Sequence, residues 1–559
     1  MSRVLCYSQT YGFSALLSVQ DIHGISRNRI QMPAYIMSRT SKDGEPPRAS
    51  LDEKPVLDTR EVGAVSVALE AAIAESKPSL VSPGMLRLWG IMSMCYLVST
   101  MNGFDSSLMG AINAMKPYQK SFGLSGAGSE TGIVFITYNL GQIAAFPFMG
   151  VLADGFGRRW CIFIGCLTVL IGTAIQAPAQ TLPWFIGGRF VLGFGASIAS
   201  AAAPAYAVEM SHPAYRGLMS GMAGWTTYGT NLHFPTSALA WRIPTIVQCG
   251  MPTVVLLVVM FFPESPRWLI AQDRSEEAVK ILAKYHGDGN VDHPLVQLQY
   301  REIIEQRNLY RDENPWWDFS ELYKTPAARY RSYMVVMMSF FGQWSGNNVV
   351  SYFMPKMIET AGIDNTDTQL LINAINPIFS MIGAIVGACM LDKLGRRVMM
   401  MYSLAAALIC YILLTAFSAH SGSIQGLSYG VIVAIYLFGI FFAWGFTPLQ
   451  TLYAVECLEN RTRAKGSGAN FLFLNIAMVI NTYGISEGMA KIGWKLYIVY
   501  CCWIAIEIVV IYFFAVETAG KTLEELSSIF EAPNPRKEST RKAQIDVDSA
   551  GNVVNVREL

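Results

Sequence analysis

Two short stretches of this chain share one pattern: 154–159 reads Asp-Gly-Phe-Gly-Arg-Arg, and 392–397 reads Asp-Lys-Leu-Gly-Arg-Arg. A second pair follows in the same order, since 206–209 and 453–456 both read Tyr-Ala-Val-Glu. The two pairs recur at nearly equal separations along the chain, which chance explains poorly. The sequence therefore predicts an internal repeat, in which two halves of the chain have equivalent structures.

The segments between these motifs are strongly apolar. Hydrophobic residues make up 52% of the chain and charged residues only 15%, whereas about 25% are charged in soluble proteins. A bilayer needs about 20 apolar residues per helix, and its core forbids unpaired backbone groups, so the apolar runs are predicted to be membrane-spanning helices. The predicted spans are 86–108, 131–153, 160–178, 183–206, 217–234, 243–262, 332–354, 369–391, 398–418, 428–452, 466–486 and 494–516.

One long polar break divides these twelve runs six and six. It contains an amphipathic pattern, 275–284, which predicts a helix with Ser275 as its N-cap. The loops on the side of this break carry more Lys and Arg than the opposite loops, which places the break and both tails in the cytosol. The predicted organisation is a disordered cytosolic tail 1–85, a six-helix half 86–263, a cytosolic helical linker 264–331, a six-helix half 332–516 and a cytosolic tail 517–559.

The repeated loops resemble the signature loops of the major facilitator superfamily. The stretches 188–195, 204–217, 263–269 and 517–525 resemble its sugar porter branch, and 342–353 is similar to the fungal lactose permease-like and hexose transporter group. The resemblance covers about 86–530. It implies an all-α membrane protein with a 12-helix major facilitator fold, built from two pseudo-symmetric six-helix halves. Parallel repeats of this kind are one architecture of alternating-access carriers.

The first span contains a carboxylate, Asp105, and the fourth contains Arg189. A charged residue inside a bilayer costs about 2.5–3.5 kcal/mol on insertion scales, so it usually has a function. The alternatives are a solvated carboxylate near the interface, and an arginine that pairs with a backbone carbonyl. The resemblance implies proton coupling by Asp105 and Arg189, because proton-coupled sugar porters carry an acid at this motif.

Polar residues of the second half are candidates for substrate binding. Gln343, Asn348 and Tyr352 are spaced so that they share one broad face of a continuous helix. Amides can donate to and accept from sugar hydroxyls, and the family resemblance favours sugar contact. Interhelical hydrogen bonding is the alternative, and it is equally weighted for Asn376 and Asn475. The sequence departs from the family at Gly342, where relatives carry Gln.

Charged residues at the cytosolic helix ends form a further predicted group. Their simplest role is solvated positive-inside charge, but the repeat favours an ion-pair latch between the two halves, which would hold the outward-open state. Exposed pairs contribute about 0–1 kcal/mol each, and a network can still bias a balanced equilibrium. The group is Asp154, Arg158, Arg159, Glu209, Arg216, Asp392, Arg396, Arg397, Glu456 and Arg463.

The fifth span is unusually short. Only 24 residues separate Arg216 from Trp241. The apolar part, 217–230, would cover about 21 Å as a helix, whereas the hydrocarbon core is about 30 Å thick. The family's fifth-span Gln has no counterpart. The gap is either a real feature, which would weaken folding or transport, or an error in the gene prediction.

The leading hypothesis is proton-coupled uptake of a sugar, either a disaccharide such as lactose or a hexose, across a fungal plasma membrane. A passive sugar uniporter and a non-transporting sugar sensor are the alternatives. The net charge of +1 gives no indication of nucleic-acid binding. No metal-ligand spacing appears, and the phosphate-loop echo at 515–522 lacks its first glycine and its strand, so no nucleotide, cofactor, metal or enzymatic activity is expected.

Overall fold

The structure is a computed structural model. It describes residues 83–210, 237–287, 289–310, 318–420, 426–459, 462–521, 523–540, 543–547 and 553–558. The predicted fifth span 217–234, Arg216 and almost all of the predicted N-terminal tail therefore lie outside the described residues. The side chains of Glu209 and Asp392 are not among those described either.

The described part of the first half consists of helices joined by short turns and loops. Several helices begin or turn at glycine, and they run through the apolar stretches that the sequence marks as spans. The helices are α1 (Pro83–Ile112), α2 (Lys116–Phe122), α3 (Ser129–Gly155), α4 (Arg158–Gln176), α5 (Leu182–Met210), α6 (Leu239–Val247) and α7 (Gly250–Val259). The predicted sixth span is thus two helices, α6 and α7, with a break at 248–249.

The described part of the linker contains the α-helices α8 (Pro266–Ala271), α9 (Ser275–His286) and α10 (Pro294–Tyr310), and a 3-10 turn at Ser320–Leu322. In α8 the Ser265 hydroxyl caps the helix by accepting from the Trp268 backbone N–H. The predicted amphipathic helix is present as α9, and its buried positions include Ala278 and Leu282, one turn apart. The predicted cap was wrong, because Ser275 is the first helical residue and Arg274 occupies the cap position without a side-chain hydrogen bond.

The second half repeats the pattern of long apolar helices. Its helices are α11 (Pro326–Trp344), α12 (Asn347–Thr360), α13 (Thr366–Leu394), α14 (Arg396–His420), α15 (Leu427–Glu456), α16 (Arg463–Ile492) and α17 (Leu496–Phe514). Two short helices, α18 (Leu523–Glu531) and α19 (Pro535–Ser539), follow. The antiparallel strands β1 (Ala543–Val547) and β2 (Val553–Glu558) then form a hairpin that the sequence analysis did not predict.

Eight described segments are long and apolar enough to cross a membrane. Large apolar side chains such as Ile409 in α14 and Val499 in α17 remain exposed, as expected of surfaces that face lipid. The two halves also pack alike. Gly141 of α3 lies against the Phe190 carbonyl of α5, and Gly387 of α13 lies against the Trp444 carbonyl of α15. In both pairs only a residue without a side chain permits this close approach between helices.

The halves meet at the end of the bundle opposite the repeated arginine loops, and α3 also approaches α16 nearer those loops, where Phe146 lies beside Gly468. The Gly128 backbone N–H donates to the Ser486 carbonyl at 3.1 Å, and the Ser486 hydroxyl donates to the Gly128 carbonyl at 2.8 Å. The backbone of α12 also lies directly against Gly110 of α1. These contacts join α1 and α3 of the first half to α12 and α16 of the second.

Candidate functional site

A buried ion pair lies in the middle of the first half. Arg189 of α5 donates from Nη1 to Asp105 Oδ1 at 3.2 Å and from Nη2 to Asp105 Oδ2 at 3.1 Å. Both residues are 1% exposed. The Arg189 Nε–H donates to the Val134 carbonyl at 2.9 Å, and its guanidinium lies 5.6 Å from the ring centre of Tyr138. The bidentate geometry is the strongest that an arginine and a carboxylate can form.

A third polar group completes the pair. Gln248, which is 2% exposed at the break between α6 and α7, donates from Nε2 to Asp105 Oδ1 at 3.2 Å. The sequence analysis missed this residue, although an amide inside an otherwise apolar run is a detectable signal. Asp105 therefore accepts hydrogen bonds from α5 and from the break between α6 and α7. A change in the charge of Asp105 would affect the hydrogen bonds to both.

The residue after Asp105 reaches the other half of the molecule. Ser106 Oγ and the Tyr352 hydroxyl of α12 are 3.1 Å apart, and either atom can donate. The Tyr352 ring also packs edge-to-face on Phe135 of α3, with ring centres 5.2 Å apart. Through this contact Tyr352, a predicted substrate-binding residue, touches the sequence neighbour of Asp105, a predicted proton-coupling residue.

The predicted seventh span is not one continuous helix. The chain breaks between α11 and α12, where Gly346 adopts a φ of +94°. Gln343 therefore lies in the last turn of α11, while Asn348 and Tyr352 belong to α12, and the assumption of one shared helix face was wrong. The break still brings the amides together, since Asn348 Nδ2 donates to Gln343 Oε1 at 3.4 Å.

The weaker candidates occupy different surroundings. Asn376 and Ser380 of α13 lie against Gly439 of α15, which favours helix packing over sugar contact for Asn376. Asn475 is buried in α16 and donates to the Phe471 carbonyl of its own helix at 2.9 Å. Its Oδ1 is buried without a hydrogen-bond partner among the described residues.

A glutamine that the sequence analysis did not consider lies against the residue before Gln343. The side chain of Gln450 in α15 packs on Gly342, where an added Cβ would lie 2.7 Å from the Gln450 amide. Gly342 is the position where the sequence departs from the family pattern. The Gln450 amide thus occupies the space that a side chain at position 342 would otherwise take.

The repeated motifs have a common structural role at the other end of the bundle. Glu264 accepts from the backbone N–H groups of Arg158 and Arg159 at 2.9 and 3.2 Å, where α4 begins. Glu517 accepts from the backbone N–H groups of Arg396 and Arg397 at 2.8 and 3.1 Å, where α14 begins. A carboxylate at a helix N-terminus is favoured by the unpaired N–H groups and the helix dipole.

The glycines and tyrosines of the repeated motifs support the same contacts between a carboxylate and the start of a helix. Gly157 and Gly395 have φ values of +96° and +85°, and a Cβ at either position would collide with the bound carboxylate. The Tyr206 hydroxyl donates to the Pro263 carbonyl at 2.5 Å, and the Tyr453 hydroxyl donates to the Val516 carbonyl at 2.8 Å. Burial raises the pKa of Glu264 above its ordinary value, and the backbone hydrogen bonds oppose this effect.

The predicted latch residues also form side-chain pairs. Arg158 donates to Asp154 at 3.2 Å, and Arg396 donates from Nη2 to Glu456 Oε1 at 3.0 Å. Each of these ion pairs joins residues of the same half, whereas the sequence analysis expected pairs between the halves. In this conformation these contacts fasten helices within a half, and a latch between the halves stays a prediction.

A family model described as "Sugar (and other) transporter" matches residues 91–530. This chain belongs to that family of sugar transporters. It is a major facilitator sugar porter and a multi-pass integral membrane protein, and the family consists of transporters, not enzymes. The family resemblance stated from the repeated loops is confirmed.

Curated fungal relatives cover most of the transporter. The MFS glucose transporter mfs1 of Aspergillus flavus is 26% identical over 492 residues, which cover 79% of this chain and 90% of the relative. The high-affinity glucose transporter of Kluyveromyces lactis is 28% identical over 492 residues, covering 80% and 86%. The quinate permease of Neurospora africana is 26% identical over 496 residues, covering 82% and 91%.

Solved structures share the transporter's fold. The inward-open xylose transporter XylE from E. coli matches with a TM-score of 0.62 at 20% identity, covering 79% of this chain and 99% of that one. XylE bound to 6-bromo-6-deoxy-D-glucose, described as a proton:xylose symporter, matches with a TM-score of 0.61 at 20% identity, covering the same shares. The predicted all-α, 12-helix major facilitator fold class is confirmed by this likeness.

Proposed function

We propose that this transporter carries a sugar together with a proton by alternating access. The observation that carries the proposal is the buried Asp105–Arg189 pair beside the Ser106–Tyr352 contact. When Asp105 takes up a proton, it loses the charge that holds Arg189. Because Ser106 follows Asp105 in α1, a movement of this turn reaches Tyr352 in the other half directly.

The substrate class is a hexose, with a disaccharide such as lactose as the second possibility. Two of the relatives named above are glucose transporters, which supports a hexose. Gln343 and Asn348 supply amide donors and acceptors for sugar hydroxyls. Tyr352 supplies a ring face for the apolar side of a sugar. The proposal therefore combines proton coupling by Asp105 and Arg189 with sugar binding by Gln343, Asn348 and Tyr352.

Contacts between the halves support closure of the outer side. The halves are joined at Gly128 and Ser486, at the end opposite the repeated arginine loops. The positive-inside rule places the arginine loops in the cytosol. The described conformation is accordingly closed to the outside. Both termini and the linker lie on the cytosolic side of a plasma membrane in this proposal, and the latch group closes the cytosolic side in the outward-open state.

The experiment that tests the proposal is a coupled-flux measurement with the full-length protein in proteoliposomes that contain a pH-sensitive dye. Labelled glucose and labelled lactose are supplied on one side without any initial pH gradient. We expect glucose entry accompanied by acidification of the lumen. Sugar entry without acidification would establish a passive uniporter, and the absence of any sugar flux would contradict the transport proposal as a whole.

A further inference from the structure

Glu507 is a buried carboxyl group that neither the ion pair nor the proposed sugar site uses. It lies in the middle of α17 with 0% exposure. Its contacts are the Trp503 indole N–H, which donates to Oε1 at 2.6 Å, and the Ser345 hydroxyl oxygen, 2.9 Å from Oε2. Among the described residues, no cationic side chain lies within ion-pair distance of it. An isolated carboxylate in such a place is costly, and the usual outcome is a neutral acid.

The hydrogen-bond inventory at Ser345 leads to the same result. Its hydroxyl carries one proton but contacts two oxygens, the Phe341 backbone carbonyl and Glu507 Oε2. A carbonyl can only accept, so the contact with Phe341 requires the hydroxyl proton. The contact with Glu507 then lacks a proton unless the carboxyl group supplies it. A protonated Glu507 that donates to Ser345 Oγ satisfies both contacts.

This carboxyl group lies at the break between α11 and α12. Ser345 and Gly346 form the break, and the Tyr411 hydroxyl of α14 donates to the Gly346 carbonyl at 2.8 Å. Glu507 and Tyr411 therefore hold the break from α17 and α14. Beyond the break, α12 carries Tyr352, which contacts the other half at Ser106. A change at the break is consequently transmitted to the contact between halves.

We propose that Glu507 is a second proton-binding site, neutral in this conformation, whose O–H group donates to Ser345 and holds the α11–α12 break in place. Loss of this proton leaves the Ser345 oxygen facing a carboxylate, so α12 is free to move away from α1. The protonation itself is independent of the proposed transport function, whereas its effect on opening rests on that function.

The ionisable groups around Glu507 do not supply a counter-charge. Tyr500 of its own helix donates to Asn481 Oδ1 at 2.7 Å, and Tyr411 is used at Gly346. The charged residues of the helices packed on α17 lie near the helix ends: Arg329 and Arg331 of α11, Arg396, Arg397 and His420 of α14, and Arg463, Lys465, Glu487 and Lys491 of α16. The proton on Glu507 is therefore held by burial and by Ser345, without competition from a nearby cation.

Infrared spectroscopy of the purified full-length protein in lipid nanodiscs tests the protonation directly. At neutral pH we expect a carbonyl-stretch band of a protonated carboxylic acid that disappears in Glu507→Gln and persists in Asp105→Asn. The matched control is Glu359→Gln, since Glu359 is exposed on α12 and pairs with Lys356. Ser345→Ala should shift the band without removing it, because the acid loses its acceptor. A band unaffected by Glu507→Gln, or an unshifted band in Ser345→Ala, would overturn the proposal.

The role at the break is tested by downhill sugar exchange at matched surface abundance. Glu507→Gln keeps a donor for Ser345 and an acceptor for Trp503, whereas Glu507→Leu keeps neither. Because the Gln side chain keeps the break held in every state while the Leu side chain releases it, we expect exchange by the Gln variant at least about tenfold slower than by the Leu variant. Equal rates in the two variants would refute the role at the break. Because the infrared measurement needs no sugar, it tests the protonation of Glu507 even if the transport proposal fails, and the two failures can be told apart.

Discussion

Replacing Asp105 by Asn should abolish uphill sugar accumulation while leaving downhill exchange. The amide is nearly the same size as the carboxylate, and its oxygen can still accept from Arg189 or Gln248, which both donate to Asp105 in the structure. It cannot bind and release a proton. The variant therefore keeps a pathway for the sugar but loses the coupled ion.

The size of the effect follows from the driving force. A membrane potential supplies about 2.3 kcal/mol per proton for each 100 mV. With RT near 0.59 kcal/mol, one coupled proton concentrates the sugar about fifty-fold at that potential. Without coupling, the ratio of inside to outside sugar should fall to about one. Leaving Arg189 without its charge partner also costs about 3–5 kcal/mol, so part of the protein is expected to be lost to misfolding.

The assay is accumulation of labelled sugar in a yeast strain without its own hexose and lactose transporters, normalised to surface abundance. Asp364→Asn is the matched control, because Asp364 is exposed in the loop between α12 and α13. The control should accumulate sugar like the wild type. Accumulation by Asp105→Asn above the equilibrium ratio, at equal abundance, would refute the proton role of this residue.

Three further predictions concern other parts of the chain. Asn348→Ala should raise the apparent KM for the sugar without changing surface abundance, because a sugar hydroxyl loses the amide that it would hydrogen-bond. An effect on abundance alone would support a packing role. Burial lowers the pKa of His286 below 6.5, so the unfolded state binds the proton more readily and stability falls as pH drops below 6.5. The melting temperature of the wild type should therefore fall more between about pH 7 and pH 5.5 than that of His286→Gln, and parallel curves would contradict this. Inserting about a dozen apolar residues after Met222, with a Gln facing the cavity, should increase uptake at matched surface abundance, because a span needs about 20 residues; equal uptake would show that the short span is tolerated.

The sequence predicted the fold well because bilayer physics leaves few choices. An apolar run near 20 residues long has to form a helix in lipid, and the repeated loops then fix the equivalence of the halves. The same physics identified Asp105 and Arg189, since charges inside spans are costly. The structure shows that these two side chains form an ion pair. Their positions in the sequence alone do not establish that contact.

What the sequence did not predict depends on the rotation and breaks of individual helices. The break at Gly346 needs a positive φ together with the Tyr411 hydroxyl, and only the tertiary structure brings that hydroxyl there. Gln248 and Gln450 belong to the site because their helices are turned toward Asp105 and Gly342. A periodicity argument has little access to such rotations, because the buried and lipid-facing sides of a span are both largely apolar.

If Asp105 binds a proton as proposed, the arrangement of the site lets the other half of the molecule respond to it. Asp105 and Ser106 are neighbours in α1, and they face different partners. Asp105 is tied to Arg189 within its own half, and Ser106 is tied to Tyr352 across the interface. A proton that weakens the first contact moves the turn that makes the second. If the break at Gly346 also depends on the proton of Glu507, then Tyr352 is held both by Ser106 and by the break at the start of its helix, and opening requires both contacts to change.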